Sequence, residues 1–106
     1  MLVKNLIVTL GDILLFDAKL PPGVYIVWNA ELEQPVYIGR ATIGCDQQII
    51  DHWRGGPTAD RGLNSAMHGS EPYSLDWTVE VYPAYESQAS AELELGLLRR
   101  FSPMAH

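Results

Sequence analysis

Apolar positions along the chain fall into short blocks punctuated by turn-forming residues. Residues 2–10 (Leu-Val-Lys-Asn-Leu-Ile-Val-Thr-Leu) read as a short strand or extended arm. Asp12 is placed to cap a short helix over Ile13–Lys19, and Pro21-Pro22 stops it, because proline cannot continue a helix. Val24–Asn29 is β-branched and aromatic, which predicts a strand, and Pro35 opens a second one over Val36–Arg40. The short polar connection predicts an antiparallel hairpin. Asp46–Arg54 reads as a helix with Ile49, Ile50 and Trp53 as its buried stripe, ended by Gly55-Gly56-Pro57. Residues 55–76 are rich in Gly, Ser, Asn, Asp and Pro, and read as a long surface loop with one helical turn near Asn64–Met67. Trp77–Tyr82 alternates large apolar residues with Thr78, Glu80 and Tyr82, a third strand with one buried face. Ser87–Phe101 is the strongest helix. Ser87 stands at its N-cap, Ala89, Leu93, Leu97 and Phe101 repeat every four residues, and Arg99 and Arg100 suit its negative end. The expected architecture is a single compact α+β domain, a three-stranded antiparallel sheet flanked by helices, with residues 1–22 as an N-terminal appendage to a domain over 23–106.

Composition narrows the class. Apolar residues make up 47% of 106 residues, enough for one core and too many for a disordered chain. No apolar run approaches the ~20 residues that span a bilayer, and the N-terminus lacks a leader-like apolar stretch, so neither a membrane partner nor export is expected. One cysteine, Cys45, can form neither an internal disulfide nor a thiolate metal site, and it reads as a small apolar residue in a reducing, cytoplasmic setting. The net charge of -6 argues against a broad basic surface for nucleic acid, while leaving room for a local basic cleft.

The candidate chemistry lies on the hairpin. Gly23-Val24-Tyr25 stands on its first strand and Tyr37-Ile38-Gly39 on its second, with eleven residues between the tyrosines. On this pair of tripeptides the chain resembles the GIY-YIG nuclease superfamily. The resemblance continues into the next helix, where the family has an arginine and, four residues on, a tyrosine or histidine. Here Gln48 stands at the first position and His52 at the second. It extends to Glu94 in an apolar helix, with Pro103 nine residues later and His106 at a position where the family often has asparagine.

The resemblance implies hydrolysis of phosphodiester bonds in DNA or RNA with one Mg2+ or Mn2+ ion. Glu94 would hold the ion, since a hard cation that keeps several waters can be held by one carboxylate. Tyr25 would take the proton of the attacking water, Tyr37 would orient water or phosphate, and His52 would hydrogen-bond to either. Arg40, Gln48 and Arg54 make up the candidate phosphate-binding set. Gln48 carries no charge, and losing a charged donor of this kind typically costs ~10²-fold or more in rate. Arg40, directly after the second tripeptide, is the favoured replacement. Arg54 lies six residues past Gln48, off its helix face, and Arg61 sits in the loop.

Plain readings stand beside these. Strand tyrosines are usually packing residues, a glutamate beside Leu93 and Leu95 is normally solvated, and His52 beside Trp53 is a common helix histidine. His68 and Asp60 have no assigned part. The alternative function is a catalytically degenerate domain of the same fold that binds a protein or nucleic acid. A further alternative is an unrelated small α+β fold.

Overall fold

The computed structural model describes residues 5–29 and 35–101; Pro103, His106 and the middle of the expected hairpin connection lie outside them. Strands β1 (Leu6–Thr9), β2 (Gly23–Trp28), β3 (Pro35–Ala41) and β4 (Thr78–Pro83) form one sheet in the order β1-β4-β2-β3. Every neighbouring pair is antiparallel, including the β2–β3 hairpin, in which Tyr25 faces Gly39 and Val27 faces Tyr37. The sheet thus has four strands rather than the expected three. The difference is the N-terminal block, which pairs in register with β4 from Leu6 opposite Val81 to Thr9 opposite Thr78.

Helix α1 (Leu10–Phe16) starts earlier than Asp12 alone suggested. Thr9 is its N-cap, and Asp12 is the return half of a capping box. The Thr9 hydroxyl accepts from the Asp12 N–H at 3.0 Å, and the Asp12 carboxylate accepts from the Thr9 N–H at 2.9 Å. Leu10 and Ile13 are buried in the larger core, so this segment is structurally part of the sheet domain.

Helix α2 (Cys45–Arg54) matches expectation within one residue. The long loop does not survive as one. Asp60 caps a third helix, α3 (Arg61–Gly69), by accepting from the Leu63 N–H at 2.9 Å, and a 3-10 turn follows over Tyr73–Asp76. Leu63 and Met67, four residues apart, are the fully buried pair that anchors α3. Helix α4 (Ser87–Arg100) turns slightly from the expected stripe. Ser90 and Leu97 are buried, Leu93, Leu98 and Phe101 are partly buried, and Ala89 is exposed. Glu86, not Ser87, occupies its N-cap.

Strand alternation divides the core in two. Tyr25, Val27, Val79 and Val81 point to the side covered by α1, α2 and α3, while Val24, Ile26 and Ile38 point to the side covered by α4. Gly23 closes β2 against β4 at φ +149, where a Cβ would fall 2.2 Å from the Tyr82 carbonyl oxygen. Among the described residues, no helix is long and apolar enough to cross a membrane.

Candidate functional site

Two strands and one helix bring Tyr25, Tyr37 and His52 together. Tyr25 and Tyr37 project from the same face of the hairpin, with ring centroids 6.0 Å apart. His52 enters from α2, its ring 5.2 Å from that of Tyr37 and 6.2 Å from that of Tyr25. Gly39, beside both phenols, makes this packing feasible: a Cβ there would lie 2.6 Å from the Tyr25 hydroxyl and 2.6 Å from a Tyr37 ring carbon. That is the physical task of the motif glycine, and it adds Gly39 to the residues that shape the site.

The hydrogen bonds fix the proton positions. The backbone N–H of Asp60 donates to His52 Nδ1 at 2.8 Å. A backbone N–H can only donate, so Nδ1 is the bare nitrogen and Nε2 carries the proton. That proton is directed at the Tyr25 hydroxyl, 2.7 Å away. With its oxygen accepting from His52, the Tyr25 hydroxyl keeps its own proton to offer, and the Tyr37 ring packs beside it. The direction of donation therefore runs from the partly buried Asp60 N–H to His52 and from His52 to Tyr25. Tyr25 is 1% exposed, whereas Tyr37 is only partly buried.

Burial is the main electrostatic force here. It pushes the Tyr25 phenol well above the ordinary tyrosine range, and Tyr37, Cys45 and Glu94 add to the push. Tyr37 is also raised, by burial first and then by the charges of Asp60 and Glu94. Burial lowers His52, outweighing the opposing charges of Asp60 and Asp51, so the imidazole stays neutral. Burial and Asp46 raise Cys45 to about 12, which leaves it an inert thiol.

Glu94 and Arg40 lie on the other face of the same hairpin edge. Arg40 faces Val24 across the ladder, on the α4 side, and its Nε is 3.3 Å from Glu94 Oε1. The side chains are 42% and 22% exposed, and the contact is longer than the ~2.7–2.9 Å of a strong charge-assisted bond. Exposed pairs of this kind contribute ~0–1 kcal/mol. The Glu94 charge nonetheless reaches both phenols, since it helps to raise each of them.

The remaining candidates divide. Gln48, one turn before His52, borders the site, and its amide nitrogen donates to the Thr58 hydroxyl at 3.0 Å and carbonyl at 3.2 Å. Its 3.4 Å approach to His52 Nε2 sets two donors side by side and is a packing contact. A cavity of about 310 Å³ opens next to it, with Thr42, Gly44, Gln47, Asp51 and Thr58 on its walls. Arg54 does not belong to the site. It ends α2 and lines a different cavity with Leu14, Trp53 and Leu75, because six helical residues turn it away from Gln48.

Asp60 is the functional residue that sequence reading missed. Its available signal was an Asp three residues before Leu63, in N-cap position for the Leu63/Met67 stripe. Among the described residues, no three His, Cys, Asp or Glu side chains converge on a metal-sized point. Glu94 could offer a hard cation that keeps most of its water a single carboxylate. One oxygen contacts Arg40, and the side chain is partly open to solvent. Comparison with protein-family models, curated proteins and solved structures finds no match to this chain.

Proposed function

We propose that the chain is a small metal-dependent phosphodiesterase of the GIY-YIG kind, acting as an endonuclease on DNA or RNA. The observation that carries this reading is the joined network of Tyr25, Tyr37 and His52, with the Glu94 carboxylate in electrostatic reach of both phenols. Glu94 would hold Mg2+ or Mn2+, which when bound supplies charge to offset the leaving oxygen and to polarise water. Arg40 binds the substrate phosphate in place of the missing helix arginine. Tyr37, the more accessible phenol, orients the attacking water. Tyr25 and His52 pack behind it and hold its ring in place. Tyr25, the base that the resemblance implies, is fully buried and held well above the ordinary tyrosine range, so in this proposal the part passes to Tyr37. Neutralising Glu94 removes one of the charges that keep both phenols protonated and brings Tyr37 closer to that service.

A second reading, a domain that binds without cutting, draws on one observation. Gln48 is neutral and is tied to Thr58, so the position of the expected transition-state cation is filled by an amide already engaged elsewhere. One assay separates the two: labelled single- and double-stranded DNA and RNA, with Mg2+ or Mn2+, challenged with wild type, Glu94→Gln and Gln48→Arg. The enzyme reading expects metal-dependent cleavage that drops by ~10²-fold or more in Glu94→Gln. Cleavage by Gln48→Arg alone favours the binding module. Absence of cleavage by both wild type and Gln48→Arg rejects the nuclease.

A further inference from the structure

Resting on the nuclease reading, we propose that Arg40 is an exchangeable guard of Glu94. It occupies the carboxylate until a divalent ion takes its place, and it then passes to the phosphate of the substrate. Metal and phosphodiester therefore bind with positive coupling.

Three observations support the exchange. The contact is made at 3.3 Å through Nε, outside the range of a strong charge-assisted bond, so it competes weakly. Arg40 is on an edge strand and is 42% exposed, which leaves its guanidinium room to swing without disturbing the ladder. Glu94 itself is 22% exposed and projects from a helix face whose neighbours Leu93 and Leu97 are packed, so the helix stays fixed while the arginine moves.

The chemistry is competition for one anion. A guanidinium and a divalent cation cannot both sit close to one carboxylate oxygen without mutual repulsion. When the ion wins, Arg40 is left without its counter-charge at the edge where the phosphate would lie, and a phosphate oxyanion is its natural next partner. Conversely, a phosphate that draws Arg40 away exposes Glu94 to the ion. Linkage requires the two effects to be equal in size. This device also gives Gln48 a physical context. With a permanently charged arginine on α2, phosphate binding would not depend on the ion, whereas a cation borrowed from Glu94 makes it depend on the ion.

The test is a Mn2+ titration of the full chain, followed by the electron paramagnetic resonance of free Mn2+. It is run with and without a phosphorothioate-linked thymidine dinucleotide, on wild type, Arg40→Gln and Glu94→Gln. The proposal expects the dinucleotide to tighten Mn2+ binding to wild type about three- to tenfold. Arg40→Gln should bind Mn2+ tighter by about the same factor without dinucleotide, and gain nothing from adding it. Unchanged Mn2+ affinity in Arg40→Gln, or coupling that survives it, overturns the guard while leaving the Glu94 ion site in place. Equal Mn2+ binding by wild type and Glu94→Gln, or no binding by any variant, overturns the ion site and with it the guard.

Discussion

The two faces of the β2–β3 hairpin solve different problems with the same strands. On the α2 side Tyr25 and His52 are buried, so their polar groups need partners. Asp60, His52 and Tyr25 form a chain whose two hydrogen bonds run in one direction. On the α4 side, Arg40 and Glu94 meet at a partly exposed rim, at a distance that holds neither firmly. Burial makes the first face an all-or-none construction, because an orphaned buried polar group costs ~1–3 kcal/mol. Solvent leaves the second weakly held. The proposed site would draw its phenols and its exchangeable cation from opposite sides of one edge.

The largest test of this contrast is Tyr25→Ala. Tyr25 is among the largest fully buried side chains, and its removal opens a cavity and orphans the His52 Nε2–H. The expected loss is about 3–5 kcal/mol in urea unfolding. A loss below about 1.5 kcal/mol would mean that the network face is not the rigid one.

Next in size is a pair of glycines with opposite signs. Gly39→Ala drives a Cβ against the Tyr25 hydroxyl and the Tyr37 ring, and is expected to cost about 1–3 kcal/mol. Gly96→Ala lies within α4 with nothing within 4 Å of the added methyl, and should stabilise by about 0.5–1 kcal/mol through helix propensity. Thermal unfolding of both variants against wild type decides. A Gly39→Ala protein as stable as Gly96→Ala would show that the phenols do not need the bare backbone.

The hairpin and its tyrosines were legible because their signal is local. β-branched runs, a proline start and two tripeptides at hairpin spacing all act within twenty residues. The facing of Arg40 was not drawn from the sequence, although period two alone sets it opposite to Tyr37 and Gly39; its pairing with Glu94 depends on where α4 docks. Three features were hidden. The Leu6–Thr9 segment reads in sequence as either a short strand or an extended arm, and its place in the sheet stays hidden because it comes from β4, about seventy residues away. Helix α3 is short and carries Gly, Asn and Ser, whose weak propensity outweighed the Leu63/Met67 spacing until packing reversed the balance. Asp60 offers an N-cap signal before Leu63, but its contact with His52 runs through its backbone N–H, which no side-chain pattern can announce.

A pH series sharpens the contrast from the buried side. His52 has its folded-state pKa lowered by burial, so below its unfolded value of 6.5 the unfolded chain binds more protons than the native one. Its contribution is thus complete above pH 6.5 and is lost as the pH falls below 6.5 through the folded value. His68 has the opposite sign. Its acceptors, the Trp53 carbonyl and Glu71, raise it, so what it adds is present below pH 6.5 and fades as the pH climbs through its folded value. Urea midpoints between pH 5.5 and 7.5 should therefore fall on acidification in a His68→Ala background. That fall should flatten when His52→Gln is added. A slope that persists without His52 would assign the acid sensitivity elsewhere.

The smallest effect belongs to the exposed rim. A double-mutant cycle over Arg40→Ala and Glu94→Ala isolates the pair from whatever each side chain does alone, because the two touch each other at a single edge. A coupling below about 1 kcal/mol is expected, shrinking further in 1 M salt, since a half-exposed contact at 3.3 Å is screened and entropically costly to hold. A coupling of 3 kcal/mol or more, insensitive to salt, would describe a desolvated structural pair. An arginine held that tightly could not be surrendered to a phosphate, and the two faces would then be equally rigid.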